Sequence, residues 1–142
     1  SENALVCLDN SCRAERPTLP VEDEMENVEV VDLNHYALLS YLRSRGINEE
    51  VGRTYCKEIH YELRKRHYFA IAFENIKGGY EVRNPYYKGC IKGKDISVIR
   101  YNRDVIQRHV CVFEGFVDFL SYLMLHKREI TTYVLTSRPI FL

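Results

Sequence analysis

Hydrophobic positions change their spacing along the chain, and the changes mark the elements. Residues 1–30 carry no amphipathic period. Pro17, Pro20 and the acidic run VEDEMENVEV read as a tail or linker that ends in a short strand near Val28–Val31. From Leu33 the spacing becomes helical, with Tyr36, Leu38, Leu39 and Leu42 recurring at three and four residues behind Asn34 as a cap. Gly46 ends this helix at C′, and Arg43 and Arg45 sit in its last turn, where cations suit the helix dipole. A second, short helix starts from Asn48, with Glu49 and Glu50 in its first turn, and runs to about Cys56.

Beyond it the period becomes two. His60–Leu63 is a first strand, and His67–Glu74 (HYFAIAFE) a stronger one. Gly78 and Gly79 turn the chain back into Tyr80–Tyr87 (YEVRNPYY). Pro85 ends that strand early or places it at an edge. Asp95–Tyr101 is a further strand. Then come Val110–Phe113 as a strand, Phe116–Lys127 as a helix and Thr131–Thr136 as a strand, a βαβ unit that implies parallel pairing. The fold class is therefore α+β: an N-terminal helical pair, a small mostly antiparallel sheet and one βαβ unit. A division follows into residues 1–30 as tail, 31–66 as helical segment and 67–142 as sheet subdomain with the βαβ. If the final strand lacks neighbours, its edge is a candidate for dimerisation.

Composition changes this picture little. The chain's 142 residues suffice for one domain, with 46% hydrophobic and 28% charged residues. Lys+Arg and Asp+Glu total 20 each, so no bulk excess of base argues for a nucleic-acid binder. The charges are uneven, however: an acidic stretch from Glu22 to Asp32 is followed by Arg53, Lys57, Arg64, Lys65 and Arg66, which outnumber their acidic neighbours. Five cysteines in no paired spacing argue against a disulfide framework and for a reducing cytoplasm. No apolar run is long enough to span a bilayer, so no membrane partner is expected.

Glu114 and Gly115 follow an apolar strand and precede a helix, which puts a carboxylate where ligands bind in open α/β sheets. Asp118 lies one helical turn on, on the same side. Two acids so placed can hold a hard divalent cation or put a general acid/base beside it. The plainer alternative is that Glu114 caps the helix and Asp118 favours its dipole. His60, His67 and His109 lack metal-ligand spacing and read as structural or surface residues. Tyr80, Tyr86 and Tyr87 read either as a stacking surface for bases or as cover for a half-exposed sheet.

The run Val110–Tyr122 (VCVFEGFVDFLSY) resembles the first motif of Toprim domains, found in bacterial primases, topoisomerases and related nucleases. Tyr41–Ile47 (YLRSRGI) is similar to the helix-ending segment before the catalytic core of bacterial-type primases. Gly78–Asn84 (GGYEVRN), followed by Tyr87-Lys88-Gly89, resembles the glycine-arginine hairpin and lysine-bearing strand that precede the Toprim fold. The three occur in the family's order across residues 36–136. They look most like primase-like proteins of Bacteroides-type bacteria and their mobile elements.

The resemblance implies a nucleotidyltransferase of DNA replication, making primers on a single-stranded DNA template from nucleotides, with a helicase or replication protein as partner. It makes Glu114 the catalytic, metal-binding carboxylate, Asp118 its support and Mg2+ the cofactor. It turns Arg83, Lys88 and Lys94 toward template or nucleotide phosphate, where the plainer alternative is a solvated hairpin edge, and it leaves Asn84 either bonding a ligand or stabilising its turn. The family's zinc ribbon is expected upstream in the parent protein and not in this chain, since Cys7 and Cys12 have no second pair. The Asp-x-Asp motif that completes the metal site is expected after Tyr133, and Leu142 is reached without it. The expectation is thus a primase-like part, inactive alone. The alternatives are a non-catalytic DNA- or protein-binding domain of a plasmid mobilisation protein, or a Toprim nuclease.

Overall fold

The structure, a computed structural model, describes residues 25–100, 104, 106–126 and 132–136. In chain order the elements are β1 (Met25–Asp32), α1 (Tyr36–Ser44), α2 (Glu49–Tyr55), β2 (Lys57–Leu63), β3 (Arg66–Glu74), β4 (Tyr80–Arg83), β5 (Lys88–Ile91), β6 (Ser97–Arg100), β7 (Val110–Phe113), α3 (Phe116–Leu125) and β8 (Thr132–Leu135). Strands β1 to β5 form one antiparallel meander in sequence order. A second sheet has the order β6-β8-β7, with β6 antiparallel and β7 parallel to β8. The class is α+β, and β7-α3-β8 is the expected βαβ unit with parallel strands.

β3 is buried without a break from Phe69 to Phe73. A strand covered on both faces has no polar side to present, which explains its near-continuous apolar run. Phe69, Ile71 and Phe73 face the helices. There they join Leu38, Leu39 and Leu42 of α1, Phe116, Phe119 and Leu120 of α3, and Tyr133 and Leu135 of β8 in one core. Ala70 and Ala72 face the other way and pack with Ile59, Tyr61, Val82 and Ile91. Aromatic rings lock α3 between its neighbours. Phe116 stacks on Phe73 with centroids 5.4 Å apart, and Phe119 meets Tyr55 edge-on at 5.4 Å and Tyr133 at 5.1 Å. The second sheet is also tied to the meander by hydrogen bonds: Ser97 Oγ donates to Glu74 O at 2.9 Å, and Ile76 N to Ile96 O at 3.0 Å.

Several expectations shift. The cap of α1 is His35, whose Nδ1 accepts from Ala37 N at 3.1 Å, whereas Asn34 donates its side chain to Asp32 O. Both residue types can cap; His35 wins because Glu58 holds the Asn34 and His35 amides, fixing the entry of the chain. Tyr36 lies on the outer side of α1 and is 76% exposed. Gly46 does end α1, in the left-handed region at φ 77°, and Asn48 caps α2 by accepting from Val51 N at 2.8 Å. The segment expected as tail contributes the edge strand β1 from Met25 onward; residues 1–24, with Cys7 and Cys12, lie outside the described residues. The expected division at residues 66 and 67 falls inside the β2–β3 hairpin. Its turn residues Arg64 and Lys65 take positive φ (49° and 64°) without any glycine to announce them. β8 is the central strand of its sheet, flanked on both sides, so it offers no dimerisation edge. Lys57 and Arg53, in the stretch where bases outnumber acids, pair with Asp32 at 2.6 Å and Glu49 at 3.6 Å. No helix among the described residues is long and apolar enough to cross a membrane.

Glu58 joins the meander to α1. Its carboxylate accepts from Asn34 N at 3.1 Å and His35 N at 2.7 Å and contacts His60 Nε2. Burial pushes this carboxyl up, but the hydrogen bonds from His60, His35 and Asn34 outweigh burial and hold it below its ordinary value. Replacing Glu58 by Ala strands two backbone donors and is expected to cost roughly 2–3 kcal/mol. A carboxyl depressed on folding stabilises above its unfolded pKa and loses that contribution as pH falls. Urea unfolding should therefore show the gap between wild type and Glu58→Ala narrowing below the ordinary carboxyl value of 4.5. A gap that is constant with pH would contradict this role.

Candidate functional site

Alternation along β4 and the register of its neighbour assemble one polar patch. In β4, Val82 is turned into the second core, so Glu81 and Arg83 stand on the opposite, helix-facing side. β5 places Cys90 opposite Glu81 and Lys88 opposite Arg83. Above this patch lies the Glu114–Gly115 turn and the first turn of α3, held there by the Phe73–Phe116 stack. The result is a cavity of about 340 Å³ lined by Glu81, Arg83, Lys88, Lys94, Glu114 and Asp118, together with the intervening Gly89, Cys90, Gly115, Phe116 and Val117. Five of the six residues singled out from the sequence (Arg83, Lys88, Lys94, Glu114 and Asp118) thus meet at one place, although they come from three stretches of chain.

The sixth does not. Asn84 is buried, its Oδ1 accepts from Tyr86 N and Tyr87 N at 2.9 and 3.0 Å, and its Nδ2 donates to Phe69 O at 3.3 Å. These bonds use its amide to fold the turn between β4 and β5, and it does not line the cavity. Of the two readings open for Asn84, these bonds fit the turn-forming one. Tyr80 and Tyr87 pack against the second core, and the Tyr87 hydroxyl bonds that of Tyr61 at 2.6 Å, so these two cover the sheet.

Glu114 does not cap α3. The cap is Gly115, with no side-chain hydrogen bond to the first turn. The plainer explanation for Glu114 therefore fails, and the start of α3 keeps its partial positive charge directed at the cavity. Gly115 lies beside two acids: a Cβ at this position would sit at ordinary contact distance, 3.9 Å from Glu81 Oε1 and 4.0 Å from Asp118 Oδ2.

Glu81 carried no assignment from the sequence, although its place two residues before Arg83 puts both on one face of a strand. Burial pushes its carboxyl up to about 7 against the opposing pull of Lys88, Arg83 and Lys94, with Asp118 adding to the rise. Near neutral pH the cavity therefore brings Arg83, Lys88 and Lys94 together with Glu114, Asp118 and a Glu81 carboxyl that is partly protonated. Such a mixture suits an anion bridged to the cations. It can also hold a hard cation beside that anion.

For Mg2+ the donor set fits in part. Among the described residues no three His, Cys, Asp or Glu side chains are grouped to hold a metal ion. Glu114 and Asp118 nonetheless offer the one or two carboxylates that Mg2+ uses when phosphates and water complete its octahedron. Cys56 and Cys111 offer no nucleophile: burial pushes the Cys56 thiol up, and Cys111 packs against the main core.

Residues 27–92, just under half of the chain, match a family model described as a domain of unknown function (DUF8464). The match spans the meander and the first two helices, including Glu81, Arg83 and Lys88, and stops short of Lys94, Glu114 and Asp118. No curated protein and no solved structure matches the chain.

The raised Glu81 carboxyl has a consequence for stability. A carboxyl whose value rises from 4.5 to about 7 on folding keeps its proton in the native state where the unfolded chain has lost it, so stability declines as pH rises through that window. The penalty above pH 7 is on the order of 3 kcal/mol. Glu81→Gln, which carries no charge to bury, should gain about that much over wild type between pH 5 and pH 8 in urea unfolding. An equal wild-type-to-variant difference at both pH values would contradict the burial of Glu81.

Proposed function

We propose that this chain is part of a DNA primase-like protein of Toprim type, and that the cavity beside α3 binds phosphate of a single-stranded DNA template or a nucleotide. The observation that carries this reading is the convergence of Arg83, Lys88 and Lys94 with Glu114 and Asp118 on one cavity. Arg83 belongs to the GGYEVRN hairpin, Lys88 to the strand that follows it, Lys94 to the loop beyond, and the two acids to the EGFVD turn. A flexible surface charge has no reason to fall beside a strand–turn–helix 20 residues or more away in sequence.

The residues divide the work by their chemistry. Arg83 offers a planar fork suited to two phosphate oxygens, and Lys88 and Lys94 supply point charges. The start of α3, without a side-chain cap, adds backbone donors for an anion. Glu114 and Asp118 would hold Mg2+ in the complete protein, and the bound ion would supply neutralising charge for a phosphoryl group. Glu81 lies between the acids and the bases. It takes up or releases a proton as the balance of bound charge changes.

A second reading, a phosphate-binding domain without catalysis, is favoured by one observation. The described residues gather no trio of metal-ligating side chains. The two readings share the cavity and differ in whether Glu114 is needed for chemistry.

Binding of fluorescently labelled single-stranded DNA, followed by anisotropy at several salt concentrations, tests the shared claim. Wild type should bind, and the double change Arg83→Ala with Lys88→Ala should weaken binding at least tenfold at low salt and flatten its salt dependence by about two phosphate contacts. Binding untouched by the pair would remove the cavity from the account. In the full-length protein Glu114→Gln should abolish primer synthesis while leaving DNA affinity within about twofold; retained synthesis would favour the non-catalytic reading.

A further inference from the structure

A second polar cluster lies on the same helix-facing side of the meander but at the opposite edge, away from the cavity. The β2–β3 register sets Glu58 opposite Ile71, His60 opposite Phe69 and Glu62 opposite His67. His60 and His67 are therefore diagonal neighbours on one face of a hydrogen-bonded strand pair. Their rings meet, with His60 Nδ1 2.8 Å from His67 Nε2. The other nitrogen of His60 contacts Glu58 Oε2. Glu58 is itself fixed by the amides of Asn34 and His35.

This chain of contacts sets the tautomers of the two rings. An ionised carboxylate only accepts, so His60 Nε2 must carry the proton it donates to Glu58. In neutral His60, Nδ1 is then unprotonated and accepts a hydrogen bond from His67 Nε2; a metal would take the place of that shared proton, with the proton of His67 on its Nδ1. A carboxylate behind one imidazole nitrogen, with the other nitrogen presented outward, is the arrangement that orients histidine for a metal. Phe69, with His35 stacked on it at 4.0 Å, backs both histidine rings and limits how far they turn. Glu29, opposite His60 across the β1–β2 pair, and Glu62, opposite His67, place negative charge beside the pair.

We infer that His60 Nδ1 and His67 Nε2 form a two-histidine site for a divalent transition metal such as Zn2+, with Glu58 as the residue that positions His60. Two imidazoles on one tetrahedral zinc stand about 3.3 Å apart at zinc–nitrogen lengths near 2.05 Å. The pair must open by roughly half an ångström from its present separation, and the exposed ring of His67 can move that far. Water fills the remaining positions, so the site is open. Imidazole nitrogen selects for Zn2+, Ni2+ or Cu2+ and against Mg2+, which separates this cluster chemically from the carboxylates of the cavity. It stands independently of the function proposed for that cavity.

The test is calorimetric titration of the reduced full chain with Zn2+ alone, paired with two-bond proton–nitrogen NMR of the imidazoles. The expected result is that His60 Nδ1 and His67 Nε2 shift on adding Zn2+, and that His67→Ala weakens binding at this site at least fivefold. Glu58→Gln should weaken it ten- to a hundredfold, and Mg2+ should leave both rings unmoved. His67 is exposed, so His67→Ala keeps the test decisive even if Glu58→Gln fails to fold. Zinc taken up by the thiols while both histidine rings stay unshifted would overturn the inference, as would an affinity that changes less than fivefold in His67→Ala.

Discussion

The packing of α3 against β3 through Phe116 and Phe73 holds the two halves of the chain in relation to each other. The rings stack 5.4 Å apart, and Phe119 follows one turn later, wedged among Phe73, Tyr55 and Tyr133. Each buried ring removes on the order of 150–250 Å² from water and adds a geometric preference for its neighbour. Phe116 opens its helix, so the residues just before it are placed as well. Glu114 and Gly115 are brought over β4 and β5 because the ring that follows them is buried on β3. The cavity is a by-product of that stack, and a small or polar residue at 116 would be expected to loosen the site along with the core.

Charge inside the cavity is balanced by proximity more than by specific pairing. Arg83, Lys88 and Lys94 each pull the Glu81 carboxyl toward ionisation, yet burial prevails and Asp118 reinforces it. A buried acid kept partly protonated beside three cations leaves the cavity electropositive when the proton is on and near neutral when it is off. An arriving anion would meet a site that adjusts its own charge. The opposite edge of the same sheet shows the contrasting case. There Glu58 is buried but satisfied by two amides and His60, and it stays ionised. Two carboxylates on one sheet face are thus pushed in opposite directions, Glu81 up by burial and Glu58 down by the hydrogen bonds it receives.

Local chemistry was largely legible in the sequence. The caps at Gly46 and Asn48, the unbroken apolar run of β3, the early end of β4 before Pro85 and the parallel βαβ unit all follow from short-range rules. What the sequence hid depends on contacts made across the chain. Glu81 is unusual only because the start of α3, far along the chain, comes down beside it and helps to bury it. Asn34 and His35 are both competent caps, and the choice rests on Glu58, a residue of another strand. The His60–His67 approach requires the β2–β3 register, set by a turn at Arg64 and Lys65 that lacks the usual glycine or asparagine signal. The GGYEVRN and EGFVD segments could each be read as candidates, but only the fold shows that they share a cavity.

The most direct measurement is to locate the anion on the molecule. Backbone amide NMR spectra recorded while inorganic triphosphate is added should show shifts concentrated at Arg83, Lys88, Lys94 and the Gly115–Asp118 turn, with residues around His67 unmoved. Shifts scattered over exposed lysines, or gathered anywhere else on the meander, would contradict the assignment of this cavity as the functional site.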